Sequence, residues 1–289
     1  MFRLDRALLS LLLLAPSLAL ADEPPKGLGT GVDAASKGKT EVANAGFAAA
    51  EVAGDKADVT DVSAQLGALI AAGNSRSTAL TGAVKSKVRR NAHQFGGAVA
   101  LNYAQAGKAG EASQTSVENL QGSLRYDYFL ASHVSVFARV SAMHDRFQGL
   151  DLRFNADPGV AYYFVSDKAL KLWGEGGYDF LYDVRRDDVL KQKDGSLLDK
   201  TAADHGLRAF VGYDHKLSTS VSLVAGLEYL QALTDTPAWR LNADAAVKAS
   251  LAKKFSLATS VQLRYDHGAL PAKEKTDVMT SVSLVYSLF

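Results

Sequence analysis

From Val59 to the end of the chain, apolar and polar residues alternate with a period of two. That is the spacing with which a β-strand presents side chains to its two faces. In "VTDVSAQLGALIAAG", Val62, Ala64, Leu66, Ala68 and Ile70 share one side, and Asp61, Ser63, Gln65 and Gly67 the other. "GNS" (Gly73 to Ser75) then supplies turn chemistry. The next run sets Leu80, Gly82, Val84 and Val88 against Thr81, Lys85, Lys87 and Arg89. Twelve such runs fall near 59–72, 78–89, 93–104, 117–130, 134–146, 152–164, 169–182, 205–215, 220–231, 238–251, 255–266 and 277–289. Most span about ten to fourteen residues, against roughly five or six for an ordinary globular strand. A tilted strand crossing a bilayer needs roughly 9–11.

The connections alternate as well. "RNA", "ASH", "VSDKA", "KLSTS" and "AKK" are short, whereas "AQAGKAGEASQTS", "FQGLD", "VRRDDVLKQKDGSLLDKTAAD", "ALTDTPA" and "HGALPAKEKT" are mostly longer and more polar, with "GNSRS" a short exception. Membrane barrels have short periplasmic turns, longer outside loops and an even strand count. The aromatics sort the same way. Tyr128, Tyr162, Phe164, Tyr213, Phe255 and Tyr286 fall beside the short turns or the C-terminus. Tyr103, Tyr178, Tyr182, Tyr229, Trp239 and Tyr265 fall beside the longer connections. Two girdles with Leu, Val and Ala between them are what two membrane interfaces select. A soluble all-β fold has no reason to form them. The expectation is therefore an all-β chain, a transmembrane antiparallel up-and-down β-barrel of about twelve strands. In "LRYDYFLASHVSVFARV", Leu124, Tyr126, Tyr128, Val134, Val136 and Val140 should then face lipid, and Arg125, Asp127, Ser135 and Arg139 the interior. Pro158 sits inside a strand, where it removes a ladder hydrogen bond, so a bulge or local irregularity is expected there.

Composition refines this picture at the N-terminus. Residues 1–21 carry Arg3 and Arg6, an apolar run from Ala7 to Ala15, and an A-x-A-like site at Ala19-Leu20-Ala21. This reads as a cleaved secretory signal peptide. Residues 22–58 are rich in Ala, Gly, Lys and Pro with almost no aromatics, and read as a flexible periplasmic lead-in to a barrel over 59–289. The chain has no cysteine, so an exported fold cannot rely on disulfides. Without Arg3, Arg6 and Asp5, the 32 basic and 31 acidic residues become 30 of each. A neutral chain gives no electrostatic reason to bind nucleic acid.

The interior face carries Lys85, Lys87, Arg125, Arg139, Arg153, Lys171, Arg208, Arg240, Lys248 and Arg264 against Asp127, Asp145, Asp157, Glu175, Asp179, Asp214, Glu228, Asp244 and Asp266. These charges either pair across strands and hold the wall, or line a narrow wet channel for small ions or solutes. Twelve strands lie between the eight that enclose only side chains and the sixteen that leave an open channel. Trp173, Phe137 and Phe210, also inward, would narrow the lumen. A restricted or plugged barrel is favoured over a general porin.

An enzymatic alternative rests on His133 and Ser135, an H-x-S pair of the kind a lipid hydrolase would use, with Ser activated by His. The pair falls in a short turn and on interior parity, so a polar turn is favoured. The remaining histidines, His93, His144, His205, His215 and His267, are scattered and indicate no metal site. Asp187, Asp188 and Asp194 lie in a loop whose spacing does not match a calcium loop. The glycines of "WGEGG" fall mid-strand, where they permit curvature rather than phosphate binding. No cofactor is expected.

"GNSRST", "RYDYFL", "DRFQGLDLRF", "PGVAYYF", "LWGEGGYDF" and "LRYDHGALPAKEKTDVMTSVSLVYSLF", in this order, resemble the salt-induced outer-membrane protein family, domain-of-unknown-function family 481. The likeness spans about Val59 to Phe289. It implies a Gram-negative outer-membrane barrel and brings no catalytic residues. Phe289 is similar to the terminal aromatic read by barrel-assembly machinery, although the position two residues before the end is Ser287 and Tyr286 precedes it. The expected partners are outer-membrane lipid, that machinery and small ions or solutes. The expected role is a non-enzymatic envelope-stress barrel with a narrow or gated lumen. A structural barrel with a filled lumen and a lipid-modifying hydrolase are the alternatives.

Overall fold

The computed structural model describes residues 58–71, 75–108, 112–167, 169–191, 195–235, 237–268 and 275–288. The expected signal peptide, nearly all of the lead-in, Asp194 and Phe289 lie outside the described residues. Twelve strands follow one another: β1 (Val59–Ala71), β2 (Ser75–Arg90), β3 (His93–Lys108), β4 (Gln114–Ala131), β5 (Val134–Asp145), β6 (Leu150–Ser166), β7 (Leu170–Arg185), β8 (Thr201–Lys216), β9 (Val221–Ala232), β10 (Trp239–Ser250), β11 (Phe255–Asp266) and β12 (Thr276–Ser287). Each pairs antiparallel with its neighbours in sequence, and β1 meets β12 to close the barrel. β2, β3, β4, β6, β7 and β8 run longer than the pattern suggested, up to 18 residues for β4, because the polar ends of those runs also join the ladder. The other strands match their runs to within two residues at either end.

The two faces divide as the alternation requires. Leu66, Val84, Val99, Leu124, Val136, Val140, Val160, Leu207, Val211, Leu227, Val261 and Leu284 are exposed on the outside, and Leu124 is 65 % accessible. Charged partners are turned inward instead, with Asp127, Asp157, Glu175, Arg208 and Glu228 buried. This inversion of a soluble protein's pattern suits a barrel with hydrocarbon outside. The two-residue turn between β2 and β3 places Asn91 at φ 54°, a left-handed conformation that Asn tolerates.

Pro158 brings the expected local irregularity without a bulge. On one side β5 and β6 stay in register through Ala138 and Pro158. On the other, the β6–β7 ladder is interrupted between Ala156 and Gly159 and resumes without a shift. The missing N–H is absorbed by close approach: a Cβ on Gly177 would lie 2.4 Å from the Pro158 carbonyl oxygen. Register shifts occur elsewhere, at Ala104/Gln105, Phe129/Ala131, Met143/Asp145, Leu150/Leu152 and Tyr163/Val165.

β1 and β12 close the wall. Among the described residues, they are in register from Ser63 opposite Ser287 to Leu66 opposite Leu284, and the Leu288 N–H donates to the Val62 carbonyl just beyond. Every other neighbouring pair is zipped along most of its length, as in β1–β2 from Val59/Arg89 to Ala71/Ser77.

Candidate functional site: a closed lumen beneath a vestibule

The interior is built in levels. Nearest the short turns, Phe129, Phe137, Ala161, Tyr163, Trp173 and Phe210 form one buried cluster with Ala92 against it. β4 to β8 deliver these residues at inward positions close to their short-turn ends. Trp173 and Phe210 have ring centroids 5.9 Å apart, as do Phe129 and Tyr163. Gly212 is required here, because a Cβ at that position would lie 2.1 Å from the Trp173 ring.

Three guanidinium groups lie on this aromatic layer. Arg89 sits 4.2 Å from the Phe129 centroid, Arg125 4.1 Å from that of Phe137, and Arg208 5.3 Å from that of Phe210. Two of these arginines open an ion-pair network that crosses the lumen. Arg125 donates to Asp127 at 2.7 Å and to Glu175 at 2.8 Å. Arg208 donates to Glu175 at 2.7 Å and to Glu228 at 2.6 Å. Arg139 donates to Asp157 at 2.6 Å and to Glu228 at 3.2 Å. Trp173 Nε1 donates to Glu175 at 3.0 Å, and Asn242 Nδ2 to Glu228 at 2.8 Å. Seven consecutive strands, β4 to β10, thus contribute to one network. An isolated charge is costly to bury, and these are tolerable because each is paired and five of the seven have at least two partners. On the facing wall small inward residues, Ala98, Ala100, Ser256, Ala258, Ser260 and Ser283, are buried beside Gln94, Asn102 and Gln262.

Above the network the interior opens into a vestibule of about 720 Å³, reaching Phe147, Thr234, Gly268 and Lys275 in the longer connections. Arg139, Glu228 and Asn242 line it at the network level. Its walls carry further pairs: Arg153–Asp183 at 2.7 Å, Arg240–Asp179 at 3.0 Å and Arg264–Asp244 at 3.4 Å. Asn155 also donates to Asp179 at 2.8 Å. Asp145 caps the turn after β5, accepting from the backbone of Phe147 and Gln148, and Asp266 lines the vestibule. Lys85, Lys87, Lys171, Asp214 and Lys248 are half-buried at inward positions nearer the short turns.

The expected interior charges are thus all turned away from the outer surface, and seven of them form the central network. Sequence reasoning set Arg89 on the polar face without counting it among the interior charges, and missed Asp183, Phe129 and Tyr163, although each has the inward parity of its named neighbours. The H-x-S pair does not assemble as a dyad. Ser135 is buried in the interior, whereas His133 is exposed in the turn with Nδ1 3.0 Å from the Tyr163 carbonyl.

On the outside, Tyr103, Tyr128, Tyr162, Phe164, Tyr178, Tyr229 and Phe255 are exposed, while Tyr182, Tyr213, Trp239, Tyr265 and Tyr286 are half-buried. Trp239 packs at a tilt against Tyr265 at 4.7 Å and stacks on His267 at 5.6 Å. Four histidines pair with rim tyrosines: His93 with Tyr126 at 2.7 Å, His215 with Tyr213 at 2.7 Å, His267 with Tyr265 at 3.0 Å, and His205 with Tyr178. In the connection after β7, Lys200 bridges Asp187 at 2.7 Å and Asp151 at 3.0 Å, and Arg186 reaches Asp188 at 3.2 Å. The hydrogen bond from Lys200 holds the Asp187 carboxyl below its ordinary range, and Asp187 in turn raises Lys200.

Comparison with known proteins adds a family and several solved structures of partial similarity. A family-wide profile described as "Protein of unknown function, DUF481" matches residues 64–288. No curated protein matches the sequence. Among solved structures, the translocator domain of autotransporter NalP from Neisseria meningitidis is 11 % identical, with 86 % of this chain and 92 % of that one covered at a TM-score of 0.47. An outer-membrane channel from Pseudomonas putida F1 is 14 % identical, covering 84 % and 98 % at 0.43. The NanC porin is 9 % identical, covering 80 % and 98 % at 0.42.

Proposed function

The chain belongs to the DUF481 family, and from the geometry of its interior we propose that it is a non-enzymatic outer-membrane barrel acting as a normally closed small-solute channel. The carrying observation is the central network of Arg125, Arg139 and Arg208 with Asp127, Asp157, Glu175 and Glu228, seated on the aromatic layer beneath a vestibule open to the long connections. A polar solute enters the vestibule and meets charges already engaged with one another. Passage requires those pairs to separate, which makes the resting lumen tight. The vestibule wall carries both signs in adjacent pairs, which suits small polar or zwitterionic solutes better than a polyion. The outward apolar face and the two girdles support placement in an outer membrane, with the short turns toward the periplasm.

A second reading, a structural or interaction barrel with a permanently filled lumen, is favoured by the burial of the small residues on the facing wall. Planar-bilayer recording separates the two. Wild-type protein should show long closures with brief openings, and Trp173→Ala combined with Phe137→Ala should show sustained ohmic steps. Steady large conductance from the wild type would refute the closed network. Silence from both proteins, each folded by heat-modifiable gel mobility, would establish the filled barrel.

A further inference from the structure

Gly82 holds an outward position on β2, between Leu66 of β1 and Leu101 of β3 in the register of both ladders. Glycine weakens a strand, and inside one it marks a bulge, a tight bend or the close approach of another molecule. Both ladders pass Gly82 without a shift. No left-handed φ calls for it, and a Cβ there would meet nothing within 4 Å. Neither the backbone nor the packing of the barrel therefore requires this glycine. With Ala64, which lies between Tyr286 and Val84, it opens an apolar groove of about 500 Å³ on the outer face, walled also by Leu66, Leu101 and Leu284. The groove ends at a basic rim. Tyr286 is its wall toward the short turns, and Lys254 Nζ lies 5.9 Å from the centre of that ring and 3.4 Å from the Leu288 carbonyl oxygen. Lys253 and Lys254 are exposed in the β10–β11 turn, and Lys216 is exposed where the β8–β9 turn begins. The Ser250 N–H donates to the Ser220 carbonyl and ties the two turns together. Residues 216–220 and 250–254 thus hold three lysines and no acid. Across β1, Asp58 is engaged by Arg90 at 3.7 Å.

We propose that this groove is a binding site for one anionic phospholipid of the leaflet on the short-turn side. One acyl chain lies over Gly82 and Ala64, and the phosphodiester meets Lys254 at the rim with Lys253 beside it. The groove selects a chain because it is apolar and faces hydrocarbon. The lysines select the headgroup, since basic side chains at a membrane surface attract anionic lipid. Tyr286 joins the two halves of the site: it walls the groove and carries the Lys254 ammonium against its ring. The site rests on the reading of the chain as a membrane barrel, and it does not depend on whether the central network opens, because it lies on the opposite face of the wall.

Native mass spectrometry of the folded full chain reads the site directly, with the protein released from detergent micelles doped with dioleoyl-phosphatidylglycerol or dioleoyl-phosphatidylcholine. The wild type should keep one phosphatidylglycerol several-fold more often than one phosphatidylcholine. Gly82→Leu fills the groove where a Cβ has open space and should lower retention of both lipids several-fold. Ala64→Leu fills it from β1 and should do the same, so either variant suffices. Lys253→Gln with Lys254→Gln should erase the preference and leave phosphatidylcholine retention unchanged. Heat-modifiable gel mobility in vesicles verifies that each protein is folded. Equal retention by the wild type and a folded groove variant, or no preference in the wild type, overturns the site while the mobility shift upholds the barrel. A dimer that the groove variants dissolve would give this face to a second copy of the chain and overturns the lipid site as well. A wild type that gains no heat-modifiable fold in vesicles fails the membrane reading itself, and the site with it.

Discussion

Replacing Arg208 by Met tests the central network most sharply. The Arg208 side chain is 0 % exposed and bridges Glu175 and Glu228 at 2.7 and 2.6 Å. Methionine keeps much of its length and none of its charge. Three guanidinium groups now face four carboxylates (Asp127, Asp157, Glu175 and Glu228), and after the change two would face four. Removing one partner of a buried pair typically costs about 3–5 kcal/mol, because the other charge is left uncompensated. Here Glu175 keeps Arg125 at 2.8 Å and Glu228 keeps Arg139 at 3.2 Å. The loss should therefore fall at the lower end, about 3 kcal/mol or roughly two powers of ten in the folding equilibrium. Urea unfolding in lipid vesicles, followed by tryptophan emission, measures it, and Trp173 reports from the site itself. Adding Glu228→Gln removes one of the stranded charges and should restore about 1–2 kcal/mol, since residues sharing a network couple. A loss under about 1 kcal/mol for Arg208→Met, or strict additivity in the double variant, would refute the claim that these pairs are desolvated and interdependent.

Gly212→Ala should destabilise by about 3 kcal/mol, the upper end for overpacking, because its Cβ would fall 2.1 Å from a Trp173 ring that Glu175 also holds. Gly176→Ala, with nothing within 4 Å of its Cβ, should be near neutral in the same unfolding assay. Leu124→Arg, on the outer face, should cost about 2–4 kcal/mol in vesicles if the residue sits near the bilayer midplane, and little in a soluble fold; equal stability in vesicles would remove the membrane reading. In the connection after β7, the Asp187 carboxyl is held below its ordinary value by Lys200. Its stabilising contribution is therefore complete above the ordinary carboxylate range of about 4 and lost as pH falls through the depressed value. The raised Lys200 works in the opposite direction, its contribution fading only as pH climbs above the ordinary lysine range. Limited proteolysis of this connection should accelerate at low pH in the wild type, and Asp187→Asn should flatten that limb.

The barrel was legible because a period of two says which face a side chain takes, and long runs between turns say that both faces persist across a membrane's thickness. Parity alone puts Arg89, Phe129, Tyr163 and Asp183 inside. Phe129 and Tyr163 lie in "YDYFL" and "AYYFV", continuous aromatic runs that mask their alternation. What parity cannot supply is height and partner. Glu175 meets Arg125 across 50 positions, and Arg139 meets Glu228 across 89. Those meetings depend on strand tilt and stagger around a closed wall rather than on any local spacing. The Pro158 expectation held as a local break in the β6–β7 ladder, with no bulge beside it. The local rule about a lost hydrogen bond is correct, but Gly177 on the neighbouring strand lets the backbones close in, so the register survives.

The network that joins β4 to β10 also bears on how the barrel is assembled. Arg125 and Asp127 arrive with β4, Glu175 with β7, Arg208 with β8, Glu228 with β9 and Asn242 with β10. An intermediate missing any of the later strands holds charges whose partners have not yet arrived, and it must keep them wet. A slip of one residue in a strand would turn its charges toward lipid. Water can leave the interior only when seven strands stand in one register, so the ion pairs verify strand order before the lumen dries.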